Sequence, residues 1–466
     1  MGRLSQIVDR YIRDDVDQPV NPYRTPEELK QLLELSLGED GMPADRVMDA
    51  LSDLAGATPR STSTRFYNQL FSGREPIATA ADMLVPVLNS SLYTFKAAGP
   101  MTIVEETVME RLAQKIGFAV PGAQGVFTPG GSISNMLGMM IARNEACPEI
   151  REEGSVGIRF MCYVSDDAHY SVSKNAGILG IGRSNVRRVG TNGTGEMRAE
   201  LLSVMIAEDR AAGHVPGVIV ATAGTTVLGA FDPIDAIADI ARQEKIWLHV
   251  DASYGGAALM SPAHAGLMRG IHRADSVAWN QHKVMGVPLS AAAFLTRQSG
   301  QMRRCLDETA DYLFQGDDDA YNPGTRSIQC GRRNDALKVW AEWKHRGDAG
   351  FRDRIEQLMG LAQHCARRVE DSDLMRLVID PAYVNVCFEV IGKSSRDICD
   401  ELRARNELLV GHAVVDGRRI IRVPLVNGDL TTGDVDEMLG LILNVATLLP
   451  DGENAQAAAE CGSCKG

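Results

Sequence analysis

The sequence predicts an α/β protein: a large domain on a mainly parallel sheet, then a small C-terminal α+β domain. Short apolar runs, "FMCYVSDDAHYS", "PGVIVATAGTT", "IWLHVDASYGG" and "SVAWNQHK", alternate with helical patterns such as "PIDAIADIARQEK" between about residues 76 and 345. Apolar strands separated by helices read as βαβ units and buried parallel strands. After about residue 346 the order changes to a long helix, "GFRDRIEQLMGLAQHCARRVED", strands "AYVNVCFEVI" and "RRIIRVPLV", and a closing helix to residue 450. Residues 1–75 carry amphipathic helical stretches, "PEELKQLLELSL" and "ADRVMDALSDLA", too short and segmented to build a core of their own. They are expected to dock elsewhere. Residues 451–466 read as a short biased, disordered tail.

At 466 residues, 44% apolar and 23% charged, the chain has the composition of a globular protein with ample core volume. Its formal charge of −13 argues against a nucleic-acid or anionic-membrane surface. No apolar run approaches the about 18 residues that a membrane helix needs. The opening "MGRLSQIVDRYIRDDVDQP" is charged throughout and has no secretory apolar region, so a cytoplasmic location is expected. Cys461 and Cys464 form a lone C-x-x-C, which either belongs to the disordered tail or binds metal or cycles redox state. No second ligand pair accompanies it, and no metal is expected.

Four features bear on chemistry. In "TPGGSISNMLGMMIARNEA", Gly130 and Gly131 permit close backbone approach, and Ser132 and Ser134 add hydroxyls at a helix start, where free N–H groups favour an anion. Ordinary helix capping explains the same residues. Asp251 ends an apolar strand in "IWLHVDASYGG", where it either caps the next turn or holds a cation. His169 follows a strand in "SDDAHYS" and is either structural or a flat ring able to stack on an aromatic ligand. Lys283, in "WNQHKVMGVP", is a lysine in an apolar setting, where a lowered pKa leaves a neutral amine that attacks carbonyls. Together, a phosphate cradle, a strand-end carboxylate, a stacking ring and a Schiff-base lysine are what pyridoxal 5'-phosphate requires.

The motifs "TPGGSISN", "ATAGTTVLGAFDPI", "HVDASYGG", "NQHKVMGV", "YLFQ" and "IQCGRRNDALKVWAEWK" resemble, in order, those of the group II pyridoxal-phosphate decarboxylases. The resemblance runs from about residue 60 to 450 and is greatest to the cysteine sulfinate and glutamate decarboxylase branch. It implies the fold type I PLP-dependent transferase architecture, with a seven-stranded sheet. It further implies that Lys283 links to the cofactor, Asp251 pairs with its ring nitrogen, and His169 stacks on the ring. Ser253 would lie near the other face and Thr226 beside the phenolic oxygen. The phosphate would sit at Ser132, Ile133 and Ser134, assisted by Asn280 and His282. Tyr312 would protonate the substrate α-carbon after carbon dioxide leaves. A homodimer with active sites at its interface is implied, with the N-terminal segment packing on the partner.

For the substrate, Arg422 matches the arginine that anchors a carboxylate. Phe71 and Ser91 stand where cysteine sulfinate enzymes carry Phe and Ser, and Gln69 and Tyr93 are placed to hydrogen-bond a distal acid group. A bulky Phe71 favours cysteine sulfinate or aspartate over glutamate, with glutamate decarboxylation the alternative. Lys96 departs from the branch, which usually has glutamate there; it is either solvated or favours an extra anionic group. Gln281 departs too, since relatives usually carry proline; glutamine restores a backbone N–H. Other pyridoxal-phosphate reactions, or an inactive binding homologue, are the competing readings; product identification and the colour of the purified protein separate them.

Overall fold

The computed structural model describes residues 2–13, 18–308, 313–314 and 321–452. They divide into two compact units. One spans Arg74–Met359; the other joins the described residues up to Gly73 with those from Gly360 onward. The sequence-based division at 75, 345 and 450 separates the N-terminal segment, which the structure groups with the C-terminal part. The boundary near residue 359 falls inside the helix Ala336–Glu370, which kinks at Gly347, where φ is +62°.

The large unit is built on seven strands, in spatial order Gln124–Thr128, Ala292–Thr296, Ser276–Asn280, Trp247–Asp251, Val215–Thr222, Phe160–Ser165 and Val186–Val189. From Ser276–Asn280 to Val186–Val189 every neighbouring pair is parallel. Ala292–Thr296 runs antiparallel to both neighbours. The connection 281–291 holds no helix, and so short a link cannot make a parallel crossover. Phe160–Ser165 and Ser276–Asn280 are buried along their whole length, as continuous apolar strands covered on both faces must be. The helix Ile234–Glu244 buries Ile234, Ile237, Ala238 and Ala241, one stripe at helical spacing.

One consequence of this topology positions the site. Gln124–Thr128 points the same way as the parallel set, because the strand between them is reversed. Thr128, Thr222, Asp251 and Asn280, each the last residue of its strand, therefore share one edge. Ligands of open α/β sheets collect at that edge.

The other unit holds a five-stranded sheet, in order Phe66–Tyr67, Leu409–Val415, Arg418–Pro424, Asn385–Val390 and Met375–Leu377. Phe66–Tyr67 adds in parallel to Leu409–Val415, so the segment before residue 74 completes a sheet formed some 340 residues later. The helices Ser395–Ala404 and Thr432–Leu448 belong to the same unit. Among the described residues no helix is long and apolar enough to cross a membrane.

Candidate active site

Eight of the residues singled out above, Gly131, Ser132, His169, Thr226, Asp251, Ser253, Asn280 and Lys283, line one cavity of about 200 Å³ in the large unit. Asn135, Tyr170, Thr222, Gly224 and Tyr254 complete it. The topology explains why residues spread over 150 positions meet there: each sits at a strand end, in the loop that follows, or in the first turns of the helix Gly131–Ala146.

The helix Gly131–Ala146 begins at the cavity. Gly131 is required by space: a Cβ there would lie 2.5 Å from Ser253 Oγ and 2.8 Å from Asn280 Nδ2. The structure changes the expected anion contacts. The N–H groups of Ile133 and Ser134 donate to Gly130 O at 2.9 and 3.2 Å, closing the first turn. The fully buried Ser134 hydroxyl lies 2.7 Å from Thr128 Oγ1. The donors left without intrahelical partners are the N–H groups of Gly131 and Ser132, the first two helical positions. Three buried oxygens of lining residues, Thr222 Oγ1, Ser253 Oγ and Asn280 Oδ1, have no hydrogen-bond partner. Orphaned polar atoms around a helix N-terminus fit a ligand that brings anionic oxygens and polar ring substituents.

The Asp251 carboxylate accepts from Asn135 Nδ2 at 2.7 Å and from the Ser253 N–H at 3.1 Å. Burial opposes its ionisation, but the Lys283 charge and the bonds from Ser253 and Asn135 overcome that and hold its pKa below the ordinary value. Burial lowers the Lys283 pKa, opposed by Asp251, which moves the amine toward its neutral, nucleophilic form. Lys283 Nζ lies 5.9 Å from the centre of the Tyr254 ring. Burial also lowers the His169 pKa, with Asp251 opposing and Lys283 reinforcing. The His169 Nδ1 sits 2.8 Å from Ser171 Oγ.

The segment after Asn280 is clamped from several sides. His282 Nδ1 lies 2.8 Å from Ala291 O and 3.0 Å from Ala291 N, and His282 is not among the residues lining the cavity. Burial, then the Lys283 charge, lowers its pKa to about 4. Arg354, itself paired with Glu75, donates from Nε to Val284 O at 2.7 Å, beside Lys283. Gly286 turns with φ +78°, and a Cβ there would meet the Arg354 guanidinium at 2.6 Å. The Gln281 N–H donates to Ala291 O at 2.9 Å, so a proline there would lose that bond. Its side chain is fully buried, and neither Nε2 nor Oε1 has a partner. An unpaired buried amide costs about 1–3 kcal/mol. Gln281→Met keeps the backbone bond and most of the volume, and is expected to raise the melting temperature of the purified protein by a few degrees. An unchanged or lower value would mean the amide is satisfied.

The residues expected at the substrate fall in both units. In one, Arg422 donates from Nη2 to Asn68 O, which brings it beside Gln69 and Phe71; Gln69 is exposed and Phe71 half-buried against Phe66. In the other, the turn Ser91–Tyr93 is pinned by the buried Arg332–Glu105 pair. Arg332 donates to Leu92 O at 2.7 Å, and its N–H reaches Ser91 Oγ at 3.3 Å. The Tyr93 ring stacks on Phe314 with centres 5.5 Å apart. Lys96 is exposed. Tyr312, Cys461 and Cys464 lie outside the described residues. Sequence reasoning gave no role to Asn135, Thr222, Gly224 or Tyr254. Asn135 stands one helical turn after Gly131, inside a quoted motif, and that spacing was the available signal.

Comparison with known proteins agrees with this geometry. Residues 26–391 match the family model described as the pyridoxal-dependent decarboxylase conserved domain. An acidic amino acid decarboxylase of Bos taurus is 41% identical over 389 residues, 82% of this chain and 74% of the relative. The cysteine sulfinic acid decarboxylase of Homo sapiens is 38% identical over 458 residues, 93% and 92% of the two chains. The crystal structure of mouse CSAD superposes with a TM-score of 0.91 at 35% identity, covering 95% of this chain and 97% of that one. The chain therefore belongs to the pyridoxal-dependent decarboxylase family, as a pyridoxal phosphate-dependent carboxy-lyase of fold type I.

Proposed function

We propose that this decarboxylase acts on a small acidic L-amino acid, forming hypotaurine from cysteine sulfinate, β-alanine from aspartate, or both. The observation that carries the proposal is the high identity to relatives named for acidic amino acids and cysteine sulfinic acid. Phe71 and Ser91, which match the cysteine sulfinate branch, support it.

When bound, pyridoxal phosphate supplies an aldehyde that links to amines and a ring that withdraws electrons from the substrate α-carbon. Lys283 would be the amine that holds the cofactor's aldehyde. Asp251, kept ionised in a buried site, would hold the ring nitrogen protonated. His169 and Ser253 would hold the ring, and Thr226 its phenolic oxygen. Gly131 and Ser132 offer the phosphate their free N–H groups, with Asn280 beside them; Ile133, Ser134 and His282 support this end from behind. Arg422 anchors the α-carboxylate side of the substrate, and Gln69, Phe71, Ser91 and Tyr93 select the distal acid. Tyr312 delivers the proton to the α-carbon after carbon dioxide departs.

The test is product identification with purified holoenzyme and aspartate, cysteine sulfinate, cysteate, glutamate and aromatic amino acids. Amine from the three-carbon acids at higher kcat/KM than from glutamate supports the proposal; preference for glutamate or an aromatic substrate overturns it. In the same assay Tyr312→Phe is expected to lower amine formation by about 10²–10⁴-fold, the worth of one positioned proton donor.

The functional form is further proposed to be a homodimer. The helix Ala44–Ala57 buries no residue and exposes Val47, Leu51 and Leu54, and Pro76–Leu88 exposes Met83, Leu84 and Val87. A second copy covering these faces removes apolar surface from water. A sedimentation mass of one chain would remove the dimer. A cytoplasmic location is proposed on the free thiols of Cys147, Cys162 and Cys365, which suit a reducing compartment; cell fractionation tests it.

A further inference from the structure

Behind Asp251 lies a run of buried polar groups that the decarboxylation described above does not use. Its centre is Asn135, 1% exposed, whose carboxamide touches three partners. Nδ2 lies 2.7 Å from Asp251 Oδ2 and 3.1 Å from Ser171 Oγ; Oδ1 lies 3.0 Å from His249 Nε2. On its far side His249 Nδ1 lies 2.8 Å from Ser276 Oγ, which also accepts from Trp247 Nε1 at 2.9 Å. His249 and Asp251 are two residues apart on one strand and so face the same side.

Only one assignment of protons satisfies every group. An ionised carboxylate accepts and cannot donate, so Asn135 must turn its NH₂ toward Asp251. That leaves Asn135 Oδ1 facing His249, whose Nε2 must therefore carry the proton. Nδ1 is then an acceptor for the Ser276 hydroxyl, whose oxygen is free to accept from Trp247. The second N–H of Asn135 goes to Ser171 Oγ, which leaves the Ser171 proton for His169 Nδ1. His169 in turn holds its own proton on Nε2. Full burial supports the neutral form of His249, whose pKa is pushed down to about 4, with Asp251 opposing. The remaining charge facing Asp251 in this group is Lys283.

The geometry points to Asn135 as a positioning residue that fixes two cofactor-facing groups at once, the Asp251 carboxylate and the tautomer of the His169 ring, with His249 locking the amide orientation. This rests on the assignment of Asp251 to the ring nitrogen and of His169 to the ring face. The packing is specific: a Cβ at Gly138 would lie 2.5 Å from His249 Nδ1, so the helix accepts the ring only because it presents glycine there. The arrangement gives His169 a role beyond stacking, since its Nε2 proton is the one left unassigned by the network.

The test uses holoenzymes and two readouts besides turnover: the pH titration of the cofactor's visible absorbance, and the rate of cofactor release on dilution. Asn135→Leu and His249→Leu are each expected to release cofactor about 10- to 100-fold faster, the worth of hydrogen bonds to a charged group. Both should shift the titration toward that of Asp251→Ala. His249→Gln retains an N–H donor for Asn135 and is expected to recover most of the effect. Ser171→Ala leaves the far side of the network in place and is expected to shift the titration, so the idea remains testable if the leucine variants do not fold. Unchanged titration and release in Ser171→Ala and in folded leucine variants, with both altered in Asp251→Ala, would overturn the network and leave the Asp251 assignment standing. If Asp251→Ala itself changed neither, that assignment would fall and the network with it.

Discussion

Lys283→Ala is expected to lower turnover by at least about 10²–10⁴-fold, the range for losing one positioned acid–base group. Loss of the covalent link adds to this. Among the described residues the cavity lining contains no other lysine to substitute for Lys283. Burial lowers the pKa of Lys283, so the group is made nucleophilic by its surroundings as much as by its identity. Borohydride reduction before denaturation checks this directly. The parent protein should retain cofactor on the chain after unfolding, and the variant should lose it. Retention in the variant would place the link on another residue.

Asp251→Ala is expected to cost about 10² to 4 × 10³-fold in kcat. Removing one partner of a buried charged contact costs about 3–5 kcal/mol, and every 1.4 kcal/mol is tenfold. The alternative reading, in which Asp251 merely caps the turn after its strand, predicts a different result. The Ser253 N–H is the backbone donor it accepts, at 3.1 Å, and losing one cap bond would cost about 1 kcal/mol of stability with little change in kcat. Steady-state kinetics and thermal melting on one preparation separate the two. A fall in melting temperature of only a few degrees with kcat nearly unchanged would reduce Asp251 to a cap.

Much of this site is legible in the chain because its parts obey local rules. The strand "IWLHVD" ends in a carboxylate, and "TPGGSISN" opens a helix with small residues. "NQHKVMG" places a lysine and a turn glycine beside a buried strand. Each states its geometry within a few residues. Gly131 and Lys283 could be singled out for that reason. The phosphate contacts were less legible: Ile133 and Ser134 differ from Gly131 and Ser132 only by where the first helical turn closes, and boundaries shift by one or two residues without any change of pattern. The two-residue strand Phe66–Tyr67 leaves no period to read, since its partner Leu409–Val415 alone makes it a strand. Asn135 looked like one more helix residue because its three partners arrive from Asp251, Ser171 and His249, none of them on its own helix.

What the amino-acid sequence determined by itself was the alternation of apolar strands with helices, and the family motifs that order the chain around a cofactor. Those features arise from short-range steric and solvation preferences, which repeat wherever the residues repeat. Tertiary structure alone decided which strand is reversed, which N–H groups remain open at the helix start, and which way the Asn135 amide turns. It also left the Gln281 amide buried without a partner. These depend on groups far apart in the chain meeting in a space closed to water, where each donor must find the one acceptor within reach.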